Sequence, residues 1–510
     1  MEDMTSKDSL ELEVNDFGPI VHAKIDLRPL TVFVGPSNTG KSYLATLIYA
    51  LHRFFSGRSA PWRFLSTYDR LMNVTPSNVS KDTIESLDTF LEQVSTEAKK
   101  PLTERKFVLP TPITEAIRSV FNAHGGNIGD EILRCFGIND IGGLIRKGCA
   151  NGASVVLCRR LFGESEPFKH VLGLTAGTAE FTMSVPRERI LSPVAIGTGT
   201  VLVDALNDEL QSVASRVMRA GKDQEFLARE LIEVIIDFAL PQLAGPLYCT
   251  AFYLPSARTG VMKAHSTLVS NLVASAPMAG LRHGTRTPAL SGVLADFLQQ
   301  LIELVSPSHV QSNPLSVVDR KIEEKILKGT VQIESSDVVS YPRFTYQPEG
   351  WKKTLPVDYA SSMVSELAPV VFYLRHLVRR ADTLIIEEPE AHLHPAMQVE
   401  LTRQITALVR AGANVMVTTH SEWILEELAN IVRRSELTDA GRDEMPHGEY
   451  ALRPEQVGAW LFKPKRRPKG SVVSEIRLDD SGLFPSEFDE VARTLHNDWA
   501  DISSRIGEAE

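Results

Sequence analysis

The chain has 510 residues, 43% of them apolar and 23% charged, and a formal net charge of −10. That length and apolar content allow a large buried core divided into two or three structural units. The four cysteines, Cys135, Cys149, Cys158 and Cys249, form no C-x-x-C pair and have no neighbouring histidines to complete a zinc pattern, so they read most simply as reduced, mostly buried thiols, and the acidic balance argues against a surface that coats DNA nonspecifically. A local basic groove remains compatible with that sum, so charge leaves nucleic-acid binding open. No apolar run reaches the roughly 18 residues of a membrane helix, and the start, MEDMTSKDSLELEV, has neither a basic nor an apolar leader region. The expectation is a cytoplasmic protein with no membrane span.

Leu10 to Ile20 alternates apolar and polar residues, turns at Gly18-Pro19 and runs on in a second alternating stretch to Leu27, the pattern of a β-hairpin. Leu30-Thr-Val-Phe-Val34 is apolar and β-branched, as a strand buried on both faces should be, and it feeds into a glycine-bearing loop followed by helical spacing from Tyr43 to Phe55. From about Ser56 to Leu247 the texture changes to amphipathic segments, Ile84 to Ala98, Val203 to Ala220 and Phe226 to Leu240, with β-like runs at Ala153 to Cys158 and Glu180 to Val185. No heptad pattern persists long enough for a coiled-coil arm. Val331-Gln-Ile-Glu and Tyr341-Pro-Arg-Phe-Thr-Tyr-Gln-Pro predict a second hairpin. Thr383-Leu-Ile-Ile386 is a buried strand ending in carboxylates, and Asn414-Val-Met-Val-Thr-Thr419 another ending at His420. Val457 to Lys463 and Ser471 to Leu478 predict closing strands, with a helix from about Glu487. Strands alternating with helices and ending in polar loops describe an open α/β sheet with its ligand at the carboxyl edge.

Three segments carry chemistry. Gly35, Pro36, Ser37, Asn38, Thr39, Gly40, Lys41 and Ser42, followed by Tyr43, satisfy G-x-x-x-x-G-K-[ST]. The glycines let backbone N–H groups wrap phosphates, the lysine neutralises β/γ charge and the serine hydroxyl ligates Mg²⁺, so ATP and Mg²⁺ are the expected cofactors. In Glu387-Glu388-Pro-Glu390, Glu387 is the metal-side carboxylate and Glu388 the base that activates water. His420, at the end of the next strand, is placed to contact the γ-phosphate.

Together GPSNTGKS, LIIEEPEAHLHP and VTTHS resemble the ABC-type ATPases of the overcoming-lysogenization-defect and SMC-like group, often labelled AAA-15 or AAA-21, over about residues 10–55 and 250–480. The resemblance implies an α/β fold: an ABC-type P-loop ATPase domain with an N-terminal β-hairpin lobe and a large, mainly helical insertion. Its halves would lie at 10–55 and 248–480, the insertion at 56–247 and a C-terminal helix at 481–510. It further implies an ABC signature in Ala360-Ser-Ser-Met-Val-Ser-Glu-Leu367, where Ser361, Ser362 and Glu366 would face ATP bound by the opposite subunit of a homodimer or higher oligomer. Met363 stands where the group usually has glycine, Glu387 where most such strands end in aspartate, and an ordinary helix N-cap is the alternative reading of the serines. His392 and His394 look like the group's D-loop. Arg258, in Phe252-Tyr-Leu-Pro-Ser-Ala-Arg-Thr-Gly260, is balanced between reaching a phosphate and a structural salt bridge.

Three roles follow. A transporter subunit is disfavoured because the P-loop and acidic motifs are separated by a large insertion, and a chromosome-organising or DNA-repair ATPase survives only as a short-armed variant. The third role is implied by resemblance to the ATPase components of PARIS, Septu and retron-associated systems: a sensor or scaffold of anti-phage defence, controlling a separate nuclease or toxin encoded by an adjacent gene and triggered by a phage-encoded protein. Neither the insertion nor the segment after His420 shows an effector constellation, and Asp479-Asp480-Ser-Gly482 reads as a turn.

Overall fold

The computed structural model describes residues 9–56, 80–100, 108–160, 167–185, 202–264, 290–304, 315–334 and 342–476, except positions 124, 220, 222 and 438, together with isolated residues 267, 494, 497 and 499. The helix expected from about Glu487 therefore lies outside the described residues but for those last three positions, as do Tyr341 and the Asp479-Asp480 turn.

In chain order the main elements are β1 (Ser9–Phe17), β2 (Ile20–Asp26), β3 (Leu30–Val34), α1 (Lys41–Ser56), α2 (Lys81–Glu97), α3 (Thr111–Ala123), α4 (Gly125–Phe136), β4 (Ala153–Arg160), β5 (Phe168–Thr175), β6 (Thr178–Thr182), α5 (Leu202–Arg219) and α6 (Gln224–Ala244). There follow β7 (Ala251–Leu254), α7 (Gly292–Glu303), α8 (Ser316–Ile322), β8 (Gly329–Glu334), β9 (Arg343–Pro348), β10 (Leu355–Pro356), α9 (Ser362–Phe372), β11 (Thr383–Glu387), α10 (Pro395–Arg410), β12 (Asn414–Thr419), α11 (Glu422–Arg434), α12 (Asp439–Glu444), β13 (Val457–Lys465) and β14 (Gly470–Glu475). The chain divides into two compact units: residues 1–27 with 46–251, and residues 28–45 with 252–510.

In the first unit the strands run in the order β6-β5-β4-β1-β2, each antiparallel to its neighbour. Alternation in β1 buries Leu10, Leu12 and Val14 and leaves Glu11 and Glu13 half-exposed, as expected of a strand with one face on a core. The free edge of β1 pairs with β4 from Ser9↔Arg160 to Asn15↔Ser154, so the N-terminal hairpin groups with residues 46–251 rather than with the P-loop strand. Helix α6 starts at Asp223, whose carboxylate accepts from Phe226 N at 2.8 Å. Among the described residues, Gln224–Tyr248 is long and apolar enough to cross a membrane by length and composition. Its inner residues, Leu231, Ile232, Ile235, Ile236 and Leu243, are buried in the protein, as in a core helix.

The second unit holds strands in the order β14-β13-β3-β12-β11-β7, with β13, β3, β12 and β11 parallel and β14 antiparallel to β13. Every residue of β3 and β11 is buried, which explains their uninterrupted apolar sequences. Helices α7 to α11 pack on this sheet through one apolar cluster that includes Val32, Leu254, Phe297, Leu367, Phe372, Ile386 and Val417. The second expected hairpin is β8–β9, extended by β10 into a small antiparallel sheet.

Candidate nucleotide site

Strand register puts the three motif segments side by side. Val34 at the end of β3 pairs with Thr419 on β12, and Glu387 at the end of β11 pairs with Thr418. The P-loop, the acidic pair and His420 therefore leave the carboxyl ends of three adjacent parallel strands, where open α/β sheets bind ligands.

The loop conformation depends on its glycines. Gly35 has φ +140, and a Cβ there would lie 2.6 Å from the Phe462 carbonyl oxygen, which belongs to the backbone of β13 and cannot yield. Gly40 has φ +102 and leads into α1, while Asn38 takes a left-handed conformation that asparagine tolerates. The Thr39 hydroxyl donates to Pro36 O at 2.8 Å, and the Ser471 hydroxyl from β14 donates to Thr39 O. Pro36, Ser37, Asn38, Ser42 and Tyr43 are exposed. Lys41 is not: only 5% of its surface is accessible, and Nζ donates to the carbonyls of Gly35 at 2.8 Å and Pro36 at 2.9 Å. Burial pulls its pKa down to about 8, against the opposing attraction of Glu388, Glu390 and Glu387. The hydrogen bonds of this buried ammonium go to carbonyls of its own loop, at the N-terminus of α1, where helix N–H groups favour an anion.

At the acidic end, Glu387 is 6% exposed and its Oε2 accepts from Ser256 N at 3.0 Å. Glu388 follows the strand with φ +44, an uncommon and locally strained conformation for a residue with a side chain. Its N–H is fixed by Thr418 O at 2.8 Å, and its half-exposed carboxylate lies 3.5 Å from His420 Nε2. The contact with His420 holds the Glu388 carboxyl below its ordinary value, so it is ionised and able to accept a proton. Glu390, to which the motifs alone assign no role, steadies the histidine: its Oε1 accepts from the Thr419 hydroxyl and from His420 N, both at 2.7 Å.

Arg258 settles on the structural alternative. Fully buried, it donates through Nη1 to Glu387 O and to Pro255 O at 3.0 Å, through Nη2 to Glu388 O at 3.1 Å and through Nε to Glu366 O at 3.2 Å, and it ion-pairs with the Glu366 carboxylate. Glu366 is 1% exposed and also accepts from the Thr259 hydroxyl. This differs from the expectation that Glu366 faces a nucleotide: its carboxylate is engaged inside the same subunit, tying α9 to the end of β11. Ser361 is the N-cap of α9, its Oγ accepting from Val364 N at 3.4 Å, and it is exposed, with Ser362 half-buried beside it. Met363, in the glycine position of the signature, is partly buried against the apolar cluster of the unit, so its side chain turns inward. His392 and His394 are exposed, and His394 caps α10 by accepting from Ala396 N at 3.3 Å.

Residues 290–425 match a protein family described as AAA_15, AAA ATPase domain. That segment is similar to an ATPase domain of this type. The matched segment contains the serine-capped helix α9, the acidic strand end and His420. Among solved structures, the chain is similar to the SMC head domain from Thermotoga maritima, at 10% identity and a TM-score of 0.34, covering 92% of this chain and 100% of that one. It is also similar to an SMC head bound to the C-terminal winged-helix domain of ScpA, at 10% identity and a TM-score of 0.37 over 93% of this chain and 99% of that one. A third is the Pyrococcus furiosus SMC head with an extended coiled coil bound to the C-terminal domain of ScpA, at 11% identity, TM-score 0.37 and 96% and 100% coverage. No curated protein matches the chain.

Proposed function

We propose that the protein is a Mg²⁺-dependent ATPase whose site is completed by a second copy of the chain, and that it acts as a sensor or scaffold in bacterial anti-phage defence by holding a separate effector. The observation that carries the ATPase reading is the strand register that brings Lys41, Glu387, Glu388 and His420 to one sheet edge. The donor set fits the cofactor: an exposed Ser42 hydroxyl and the Glu387 carboxylate are hard oxygen ligands of the kind Mg²⁺ takes, beside a glycine cradle that a Cβ would fill. When bound there, Mg²⁺ would neutralise phosphate charge. Lys41 would exchange its loop carbonyls for phosphate oxygens, Glu388 would orient and deprotonate the attacking water, and His420 would contact the γ-phosphate.

Sharing between copies is supported by the exposed N-terminus of α9, where the Ser361 hydroxyl, although its oxygen caps the helix by accepting from Val364 N, keeps a proton to donate to an anion outside the subunit, beside the half-buried Ser362. A Lys41→Ala chain mixed with a Ser362→Arg chain should regain ATPase activity that neither has alone, because one site of the mixed dimer keeps both halves. Confirmed mixed dimers without activity would count against sharing. Effector control rests on the resemblance of GPSNTGKS, LIIEEPEAHLHP and VTTHS to defence ATPases, and on the principle that hydrolysis acts on a target only through a conformational change that something else reads. Purified protein with Mg-ATP should leave plasmid DNA and total RNA intact and should co-purify with the product of an adjacent gene. Metal-dependent cleavage by the chain alone that survives Lys41→Ala would sink this part of the proposal.

A further inference from the structure

The hairpin β13–β14 ends in an exposed tip, Lys463-Pro-Lys-Arg-Arg-Pro-Lys469, that carries Lys463, Lys465, Arg466, Arg467 and Lys469 and no acidic residue. All seven residues of the tip are exposed, and none of its cations forms an ion pair with a described acidic residue. The carboxylate nearest in the hairpin, Glu475, is held at the other end of the strand by Arg28 at 2.7 Å. Concentrating positive charge with no ion-pair partner among the described residues on one turn of a chain with net charge −10 costs self-repulsion and contributes nothing to a core. We infer that this tip is a nucleic-acid-binding element that engages the phosphodiester backbone.

The composition of the tip selects the partner class. Protein interfaces are anchored by aromatic and aliphatic side chains and are depleted of lysine at their centres, and this tip has no apolar side chain beyond its two prolines. Backbone recognition of nucleic acid needs only lysine and arginine at intervals of a few ångströms, and alternate residues of a strand, such as Lys463 and Lys465, stand about 6.7 Å apart on one face. The base of the same hairpin touches the nucleotide loop: Phe462 packs its backbone against Gly35, and the Ser471 hydroxyl donates to Thr39 O. A load on the tip is thus passed to the P-loop through two direct contacts. The inference stands apart from the ATPase and defence readings, because binding to the tip is measurable without nucleotide or effector.

The test is fluorescence anisotropy of full-length protein with labelled duplex DNA, single-stranded DNA and duplex RNA, titrated between about 50 and 200 mM salt. The expected result is binding whose logarithm falls linearly with log salt, with the Arg466→Ala/Arg467→Ala/Lys469→Ala variant weaker by about 10-fold or more and its slope shallower by about 2 to 3 on duplex DNA. The three probes tell which nucleic acid is preferred, and an unchanged circular dichroism spectrum and thermal unfolding midpoint show that the variant is folded. Identical affinity and slope for wild type and variant would overturn the inference. So would no binding at the lowest salt, or displacement by poly-glutamate at lower concentration than by nucleic acid, which would assign the tip to an acidic protein.

Discussion

Arg258→Ala is expected to destabilise the second unit by about 3 to 5 kcal/mol, because it leaves a buried carboxylate without its counter-ion. The guanidinium serves the backbone carbonyls of Glu387, Glu388, Pro255 and Glu366 and the Glu366 carboxylate, all in surroundings that exclude water. Burial pushes the Glu366 carboxyl up even with the arginine beside it, so removing the arginine strands an acid that is already costly to ionise. Against a typical total stability of about 5 to 15 kcal/mol, this is a large fraction. Glu366→Gln, which keeps the shape and some hydrogen bonding, should lose about 1 to 3 kcal/mol. The double variant Arg258→Met/Glu366→Met should recover part of the single loss but not all, since the carbonyls stay unpaired. Denaturant unfolding checks the series. An Arg258→Ala protein within about 0.5 kcal/mol of wild type, the range of ordinary surface substitutions, would show that the cluster is not buried as described.

The same arginine shows where the sequence stops being legible. In Pro-Ser-Ala-Arg-Thr-Gly it looks like any polar turn residue, and its burial depends on acceptors more than a hundred residues away in the chain, at separations of 108 and 129. Glu366 is misread for the same reason: helical position identifies a signature-like segment, but the inward turn of the carboxylate depends on Arg258 and Thr259, which no local pattern encodes. The strands of the site were readable because each is buried on both faces and so carries an unbroken apolar run bounded by motif residues. Alternation likewise gave the N-terminal hairpin. It could not say which strand lies on the far edge of β1, and that partner, β4, groups the hairpin with the first unit. The basic tip of β13–β14 passed unremarked in the sequence, where the segment reads only as a closing hairpin, and its nearness to the P-loop is a fact of pairing between β13 and β3.

In the proposed ATPase site, Glu388 is the residue assigned to activate water. Its positive φ and its N–H bond to Thr418 O fix the backbone, and the half-exposed carboxylate faces His420. Glu388→Gln keeps size and backbone demands while removing the basic oxygen and the charge that draws the histidine. Lys41 and the glycine cradle are untouched, so ATP affinity should stay within a few-fold of wild type. Loss of a positioned base lowers turnover by about 10² to 10⁴-fold. The decisive measurement is a paired one on the same preparation: equilibrium binding of a fluorescent ATP analogue, and phosphate release under Mg-ATP saturation. Near-normal binding with phosphate release reduced at least a hundredfold is the predicted result. Phosphate release by Glu388→Gln at the wild-type rate would contradict the assignment of this strand-end carboxylate as the base of an ATPase site.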